Sequence, residues 1–140
     1  MPVTPSTIRA LMQAELNTPP AASATHRILV VDDNVDAAES LAMLLQLEGH
    51  STRVAHDGPA AIAAASEFRP DTVFLDIGLP GMSGYDVARQ LRTREGAPLR
   101  LIALTGWGAD EDRRKAHDAG FDRHLVKPVD PSQLAAMLDV

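Results

Sequence analysis

Five side chains suited to phosphoryl chemistry each stand at the end of an apolar run. Asp32 and Asp33 follow "ILVV", Asp76 follows "TVFL", Thr105 follows "LIAL" and Lys127 follows "HLV". Two adjacent carboxylates resist ionising together, so the pair at Asp32 and Asp33 needs an offset. A metal ion, a basic side chain or water would each supply one. Three carboxylates in one place, all oxygen donors and few in number, suit Mg²⁺ with room left for water. Lys127 would add a second positive charge and Thr105 a hydroxyl donor. A metal, a lysine and a hydroxyl around an anion make a phosphoryl site, because that chemistry is mostly positioning and charge stabilisation. A carboxylate can itself be the nucleophile and become an aspartyl phosphate. Asp76 is the best placed for this. It ends the most apolar run and leads the glycine-rich stretch "GLPGMSG".

These residues can act together only if the fold gathers them. Residues 27–31, 51–55, 72–76, 99–104 and 123–126 read as strands, and 51–55 is polar enough for an edge. Residues 34–47, 59–68, 85–94 and 109–119 read as helices, with a last one starting at Pro131 behind an Asp130 cap. In the first helix Val35, Ala38, Leu41, Ala42 and Leu45 share one face, and Gly49 follows as a C-terminal stop. The helix from 109 is polar nearly all round, so the core should hold it weakly. Five strands alternating with five helices predict a parallel sheet covered on both faces. Ligands of such sheets sit beyond the carboxyl ends of the strands, at the switch point of the winding. All five side chains fall there, while His56 and Asp57, after the second strand, should lie to one side.

The chain has 140 residues, enough for one domain with a real core. Its 13 basic and 19 acidic side chains give a net charge of −6, which argues against bulk nucleic-acid binding. With no cysteine, disulfides, thiolate zinc sites and cysteine nucleophiles are excluded. No apolar run approaches the ~18 residues of a membrane span, and the start does not read as a signal peptide, so the expected location is cytoplasmic. Residues 17–25 read as a linker. Before it Ile8, Leu11, Met12 and Leu16 recur at helical spacing. The expected organisation is a tail over 1–25, with a short helix in it, and a domain over 26–140. Plainer readings stand beside the sharp ones. Asp32 and Asp33 alone could cap a helix. "GWGADE" mimics a dinucleotide loop but lacks the third glycine. The five histidines are scattered, and Met12, Met43, Met82 and Met137 read as packing.

Four motifs in order, "ILVVDDN", "VFLDIGLPGMSG", "IALTG" and "HLVKPV", resemble the receiver domains of bacterial two-component response regulators. The likeness covers residues 27–140. It implies a doubly wound (βα)5 flavodoxin-like fold with a five-stranded parallel sheet in the order 2-1-3-4-5. It implies that Asp76 accepts phosphate from a histidine kinase or histidine phosphotransfer protein. Asp33 and Asp76 would ligate Mg²⁺ directly, with Mn²⁺ able to substitute. Asp32 would act through water, and the backbone carbonyl of Gly78 would complete the site. Thr105 and Lys127 would hold phosphoryl oxygens, and the Lys127–Pro128 bond would be cis. Thr105 and His124 would form the switch, although His124 stands where an aromatic is usual and can carry charge near neutrality. Gly78 and Trp107 would flank the entrance. Such a domain catalyses only its own phosphorylation and dephosphorylation, and neither nucleic acid nor membrane is expected to bind it. The motifs look most like receivers of hybrid histidine kinases. A free single-domain regulator acting by protein contact is the alternative, and an aspartyl-phosphate-forming, metal-dependent phosphatase is the alternative of another class.

Overall fold

The computed structural model describes residues 25–95, 99–106 and 110–138. The helix expected in residues 1–24, and Trp107, lie outside the described residues. Five strands, β1 (Arg27–Val31), β2 (Ser51–Ala55), β3 (Thr72–Asp76), β4 (Arg100–Thr105) and β5 (Arg123–Val126), form one sheet in the order β2-β1-β3-β4-β5. Every pairing is parallel. Between and after them run α1 (Val35–Leu47), α2 (Gly58–Phe68), α3 (Gly84–Glu95), α4 (Asp110–Ala119) and α5 (Pro131–Leu138). The chain winds from β1 outward to β2, then back across β1 to β3. The ends of β1 and β3 therefore flank the switch point, where Asp32 and Asp76 stand.

Burial explains the strand order. All of β3 is buried, whereas β2 alternates, so β3 is central and β2 is an edge. Alternate strand residues face opposite sides of the sheet. Ile28, Val30, Phe74, Ile102 and Leu104 meet α1 and α5 in one core. Leu29, Val31, Val73, Leu75 and Leu101 meet α2, α3 and α4 in the other. At the amino ends of the strands polar cross-braces close the base. Asp71 accepts from the Arg27 N–H (2.8 Å) and the Thr72 hydroxyl (2.8 Å). Asp122 accepts from the Leu101 N–H (2.8 Å) and from Arg92 (3.0 Å). Arg92 also donates to the carbonyls of Leu99 and Gly120, and Arg100 donates to that of Leu138 at 2.9 Å.

Several local expectations shift. The cap of α1 is Asn34, whose side chain accepts from the Ala37 N–H, rather than either aspartate before it. Met43 does not pack: it is 61% exposed, because helical geometry turns it opposite the buried Ala38, Leu41, Ala42 and Leu45. Val35 lies at the rim of that stripe, 47% exposed. The polar α4 does hold the core, but through small side chains, Ala116 and Ala119. Strand β4 reaches Thr105, so Thr105 is a strand residue and not only the start of a loop.

The loop after Asp76 returns onto its own beginning. The Gly84 N–H donates to the Ile77 carbonyl at 3.2 Å. A Cβ on Gly84 would lie 2.4 Å from Ile77 Cα and 2.5 Å from the Asp76 carbonyl oxygen. Both neighbours are backbone and cannot step aside. Gly84→Ala is therefore expected to cost about 3 kcal/mol of stability. Gly106→Ala, which meets nothing within 4 Å, should stay within about 0.5 kcal/mol. Denaturant titration of both variants checks the contrast, and equal losses would contradict it.

Candidate functional site

Lys127 leaves the end of β5 and is fixed by its own backbone. Its N–H donates to the Thr105 carbonyl at 2.8 Å, and the Lys127–Pro128 peptide is cis. Its ammonium then reaches both buried carboxylates. Nζ donates to Asp32 Oδ2 at 2.7 Å and to Asp76 Oδ2 at 3.0 Å. The second oxygen of each carboxylate takes a main-chain donor. The Asn34 N–H lies 3.0 Å from Asp32 Oδ1, and the Gly78 N–H lies 2.8 Å from Asp76 Oδ1. Asp32 is 2% exposed and Asp76 8%, whereas Asp33 faces solvent. The first offset for the acidic pair is thus a basic side chain. Asp33 stays at the rim.

One expectation about the second strand needs correction. Val31 pairs with Ala55, so His56 follows directly beside Asp32. Its Nδ1 lies 3.0 Å from the Asp32 carbonyl oxygen, and the Asp32 N–H donates to the Ala55 carbonyl at 3.1 Å. His56 therefore braces the main chain at Asp32 and leaves the carboxylate alone. Asp57 is the cap of α2, accepting from the Ala60 N–H at 2.7 Å. Adjacency of β1 and β2 was the signal that could have placed His56. Reading it as lateral overlooked how near a parallel neighbour lies.

Burial raises the carboxyl of Asp76 above its ordinary value. The Gly78 N–H and Lys127 oppose that rise, and the charge of Asp32 adds to it. For Lys127, burial works against the ammonium, but Asp32 and Asp76 more than offset it and the net displacement is upward. Burial thus outweighs the opposing effect of the lysine at Asp76. A cation would oppose that rise further. Asp32, Asp33 and Asp76 can each present a carboxylate oxygen, all within 4.8 Å of one another. A set of oxygen donors alone fits a hard divalent ion such as Mg²⁺ rather than zinc or copper.

Thr105 is buried at the end of β4. His124 pairs with Ala103, two residues earlier in β4, so Thr105 and His124 share one sheet face. The His124 ring borders a cavity of about 200 Å³, with Arg113, Ala116, His117 and Phe121 around it. Burial, and then the charge of Arg113, hold its pKa below the ordinary imidazole value. Any charging of His124 therefore moves to the acid side of the expected range. A Cβ on Gly78 would sit 3.5 Å from Asp76 Oδ1, an ordinary contact, and that oxygen already accepts from the Gly78 N–H. A further cavity of about 440 Å³ lies beside the site, and no motif or spacing points to it. Ala37, Ser40, Leu44 and Val129 line it together with Asp32 and Lys127.

Comparison with known proteins points to one family and fold. A family model described as response regulator receiver domain matches residues 28–139. The DNA-binding response regulator MtrA of Mycobacterium tuberculosis (strain ATCC 25618 / H37Rv) is 44% identical over 110 residues, covering 79% of this chain and 47% of the relative. The probable transcriptional regulatory protein TcrX of the same organism is 46% identical over 101 residues, or 72% of this chain and 43% of the relative. The chain spans about half the length of the curated relatives it matches. Among solved structures, the chemotaxis protein CheY4 of Vibrio cholerae superposes with a TM-score of 0.76 at 27% identity, covering 82% of this chain and 97% of that one. The receiver domain of the sensor histidine kinase PA1611 from Pseudomonas aeruginosa PAO1, solved with magnesium in its active site cleft, gives 0.73 at 30% identity, covering 82% and 95%.

The raised carboxyl makes a pH prediction with a definite sign. An acid whose pKa is higher in the fold stabilises the fold while protonated. That contribution is complete below the unfolded value of 3.8 and is lost as pH rises through the raised value. Without added metal, Asp76→Asn should therefore be more stable than the native chain at neutral pH. The difference should close on acidification. Mg²⁺ should raise the melting temperature of the native chain and raise that of the variant less. Thermal melts across pH, with and without Mg²⁺, measure both effects, and a gain that grows on acidification would contradict the assignment.

Proposed function

The chain belongs to the response regulator receiver domain family, and from that premise we propose that it is a phosphoacceptor whose receiving atom is a carboxylate oxygen of Asp76. The donor is a phosphohistidine, on a histidine kinase or a histidine phosphotransfer protein. The observation that carries this reading is Lys127 held 2.7 Å from Asp32 and 3.0 Å from Asp76 at the switch point of the sheet. In the reaction an Asp76 oxygen attacks phosphorus. The phosphorus–nitrogen bond of the donor breaks, and the imidazole leaves with the electron pair and takes up a proton. Asp76 is suited to this because it ends the fully buried central strand and its two oxygens are oriented by the Gly78 N–H and by Lys127. Lys127 holds the carboxylate before transfer and a phosphoryl oxygen after it. The hydroxyl of Thr105 supplies a further donor to the phosphoryl group, and His124 on the same sheet face follows the movement of Thr105.

The residues that would hold Mg²⁺ are Asp33 and Asp76 directly, the Gly78 carbonyl, and Asp32 through water. When bound, the ion neutralises repulsion between carboxylate and phosphoryl oxygens. The response-regulator context is favoured over the hybrid histidine kinase that the motifs suggested, because the curated relatives reported above are a DNA-binding response regulator and a probable transcriptional regulatory protein. This reading carries a cytoplasmic location with it. Among the described residues no helix is long and apolar enough to cross a membrane.

A radiolabelled small acyl phosphate with Mg²⁺ tests the proposal. The native chain should become labelled, with a bond stable in acid and broken by alkali. Asp76→Asn should abolish labelling, and Lys127→Ala should slow it by about 10²-fold. Asp33→Ala should weaken Mg²⁺ binding by losing a direct ligand, whereas Lys127→Ala should leave it intact or tighten it. Undiminished labelling of Asp76→Asn would sink the reading.

A further inference from the structure

The turn from β2 into α2, residues 56–58, touches both loops that carry the acidic cluster. On one side His56 Nδ1 lies 3.0 Å from the Asp32 carbonyl oxygen. On the other, Gly58 lies against Met82, in the loop after Asp76. A Cβ on Gly58 would come within 2.9 Å of both Met82 Cβ and Met82 Sδ, and within 3.1 Å of Val87 Cγ2. The glycines with left-handed backbone are Gly49, Gly81 and Gly120, so the backbone at Gly58 would admit a side chain. What reserves the position for glycine is therefore the close approach of Met82. Met82 is held from behind as well. Gln90 Nε2 donates to its Sδ at 3.7 Å, and its own N–H donates to the Pro80 carbonyl at 3.0 Å. The side chain also packs on the core shared by α2 and α3.

Between these two contacts the turn is short and tied down. Asp57 accepts from the Ala60 N–H through its side chain at 2.7 Å and from the Ala61 N–H through its carbonyl at 3.0 Å. The loop that His56 braces carries Asn34, whose N–H holds Asp32 Oδ1. The loop that Gly58 seats carries Gly78, whose N–H holds Asp76 Oδ1. Lys127 joins the same two carboxylates, but an ammonium on a flexible four-carbon stem follows them if they move apart. A fixed separation needs a stiffer part, and the turn is the part that meets both loops.

We propose that residues 56–58 are the spacer of the acidic cleft. Through His56 and Gly58, with Met82 seated on the glycine, they set the separation of the two acidic loops and so the ion that the carboxylates accept. His56, Gly58 and Met82 are positioning residues, and none is a ligand. The choice of ion rests on the phosphoacceptor reading. Mg²⁺ demands near-ideal geometry, whereas the larger Ca²⁺ tolerates a flexible one. A loosened spacer therefore costs Mg²⁺ more than Ca²⁺.

Gly58→Ala displaces Met82, and Met82→Ala empties its seat instead. Calorimetric titration should show each variant binding Mg²⁺ about tenfold more weakly, as the loss of supporting groups around a metal site does. Ca²⁺ affinity should change by less than about threefold. His56→Ala should lower the Mg²⁺-to-Ca²⁺ affinity ratio in the same direction. Leu138→Ala, in the core on the other side of the sheet, should lower stability and leave the ratio unchanged. A second readout needs no metal. The Gly78 amide proton, bonded to a carboxylate, should move upfield in metal-free Gly58→Ala and stay in place in Leu138→Ala. An unchanged ratio with an unmoved Gly78 resonance would overturn the proposal, as would a ratio that falls equally in Leu138→Ala. A native chain that bound neither ion would count against the metal ligands assigned above, and the Gly78 resonance would still decide whether the turn positions the loop.

Discussion

The ammonium of Lys127 between two desolvated carboxylates is the interaction on which the upper end of the fold depends. Taking Asp32 and Asp76 out of water is costly, and removing their partner would leave buried charge uncompensated. Everything around Lys127 serves to keep it there. Its main chain is bonded to the Thr105 carbonyl, the two acids are pinned by the N–H groups of Asn34 and Gly78, and Asp32 is held on its strand by Ala55 and His56. Three strands that are not neighbours in sequence are thereby tied at their carboxyl ends. Burial still holds the Asp76 carboxyl above its ordinary value despite the lysine. Three carboxylate oxygens lie within 4.8 Å of one another beside that lysine.

The two faces of the sheet divide this work. On one, α1 and α5 pack on Ile28, Phe74 and Ile102, and α1 with Pro128 and Val129 lines the cavity beside Asp32 and Lys127. On the other, α2 and α3 contribute mainly alanines with Val87 and Leu91, and the buried side chains of α4, among those described, are Ala116 and Ala119. Small side chains bury little area, so each residue of α4 contributes less to its own docking than one of α1 does. The residues that could sense a change at Thr105, namely His124 and the α4 side chains around it, stand on this more lightly held face.

Most of the architecture was legible because apolar runs and polar helix surfaces alternate without interruption from Arg27 onward. The site residues were legible for a related reason: each is the first polar side chain after a buried strand, and parallel strands all end on one side. What could not be read were relations between elements. Nothing in the spacing says that Lys127 reaches Asp32 as well as Asp76, since that depends on how far β5 is displaced across β4 from β3. His56 was misplaced because contact across parallel strands is not a periodic signal. Met43 was misassigned because methionine is apolar wherever it points, and only the helix phase decides. The strand order was carried over from the family likeness, and the pairing of the strands agrees with it.

The two ends of the sheet are secured by different physics. At the amino ends, Asp71, Arg92, Arg100 and Asp122 clamp main-chain groups, and none of those bonds involves the acidic cluster. At the carboxyl ends, cohesion rests on a set of charges whose balance changes with whatever occupies the site. The molecule is thus graded along the strand axis, with a foundation indifferent to ligand and a summit whose stiffness varies with occupancy. Amides near Arg27, Leu101 and Asp122 should retain their hydrogens through many cycles of loading and unloading. Those around Gly78, Gly84 and Gly106 should keep time with each cycle, so that exchange rate becomes a coordinate along which the signal is confined to one half of the protein.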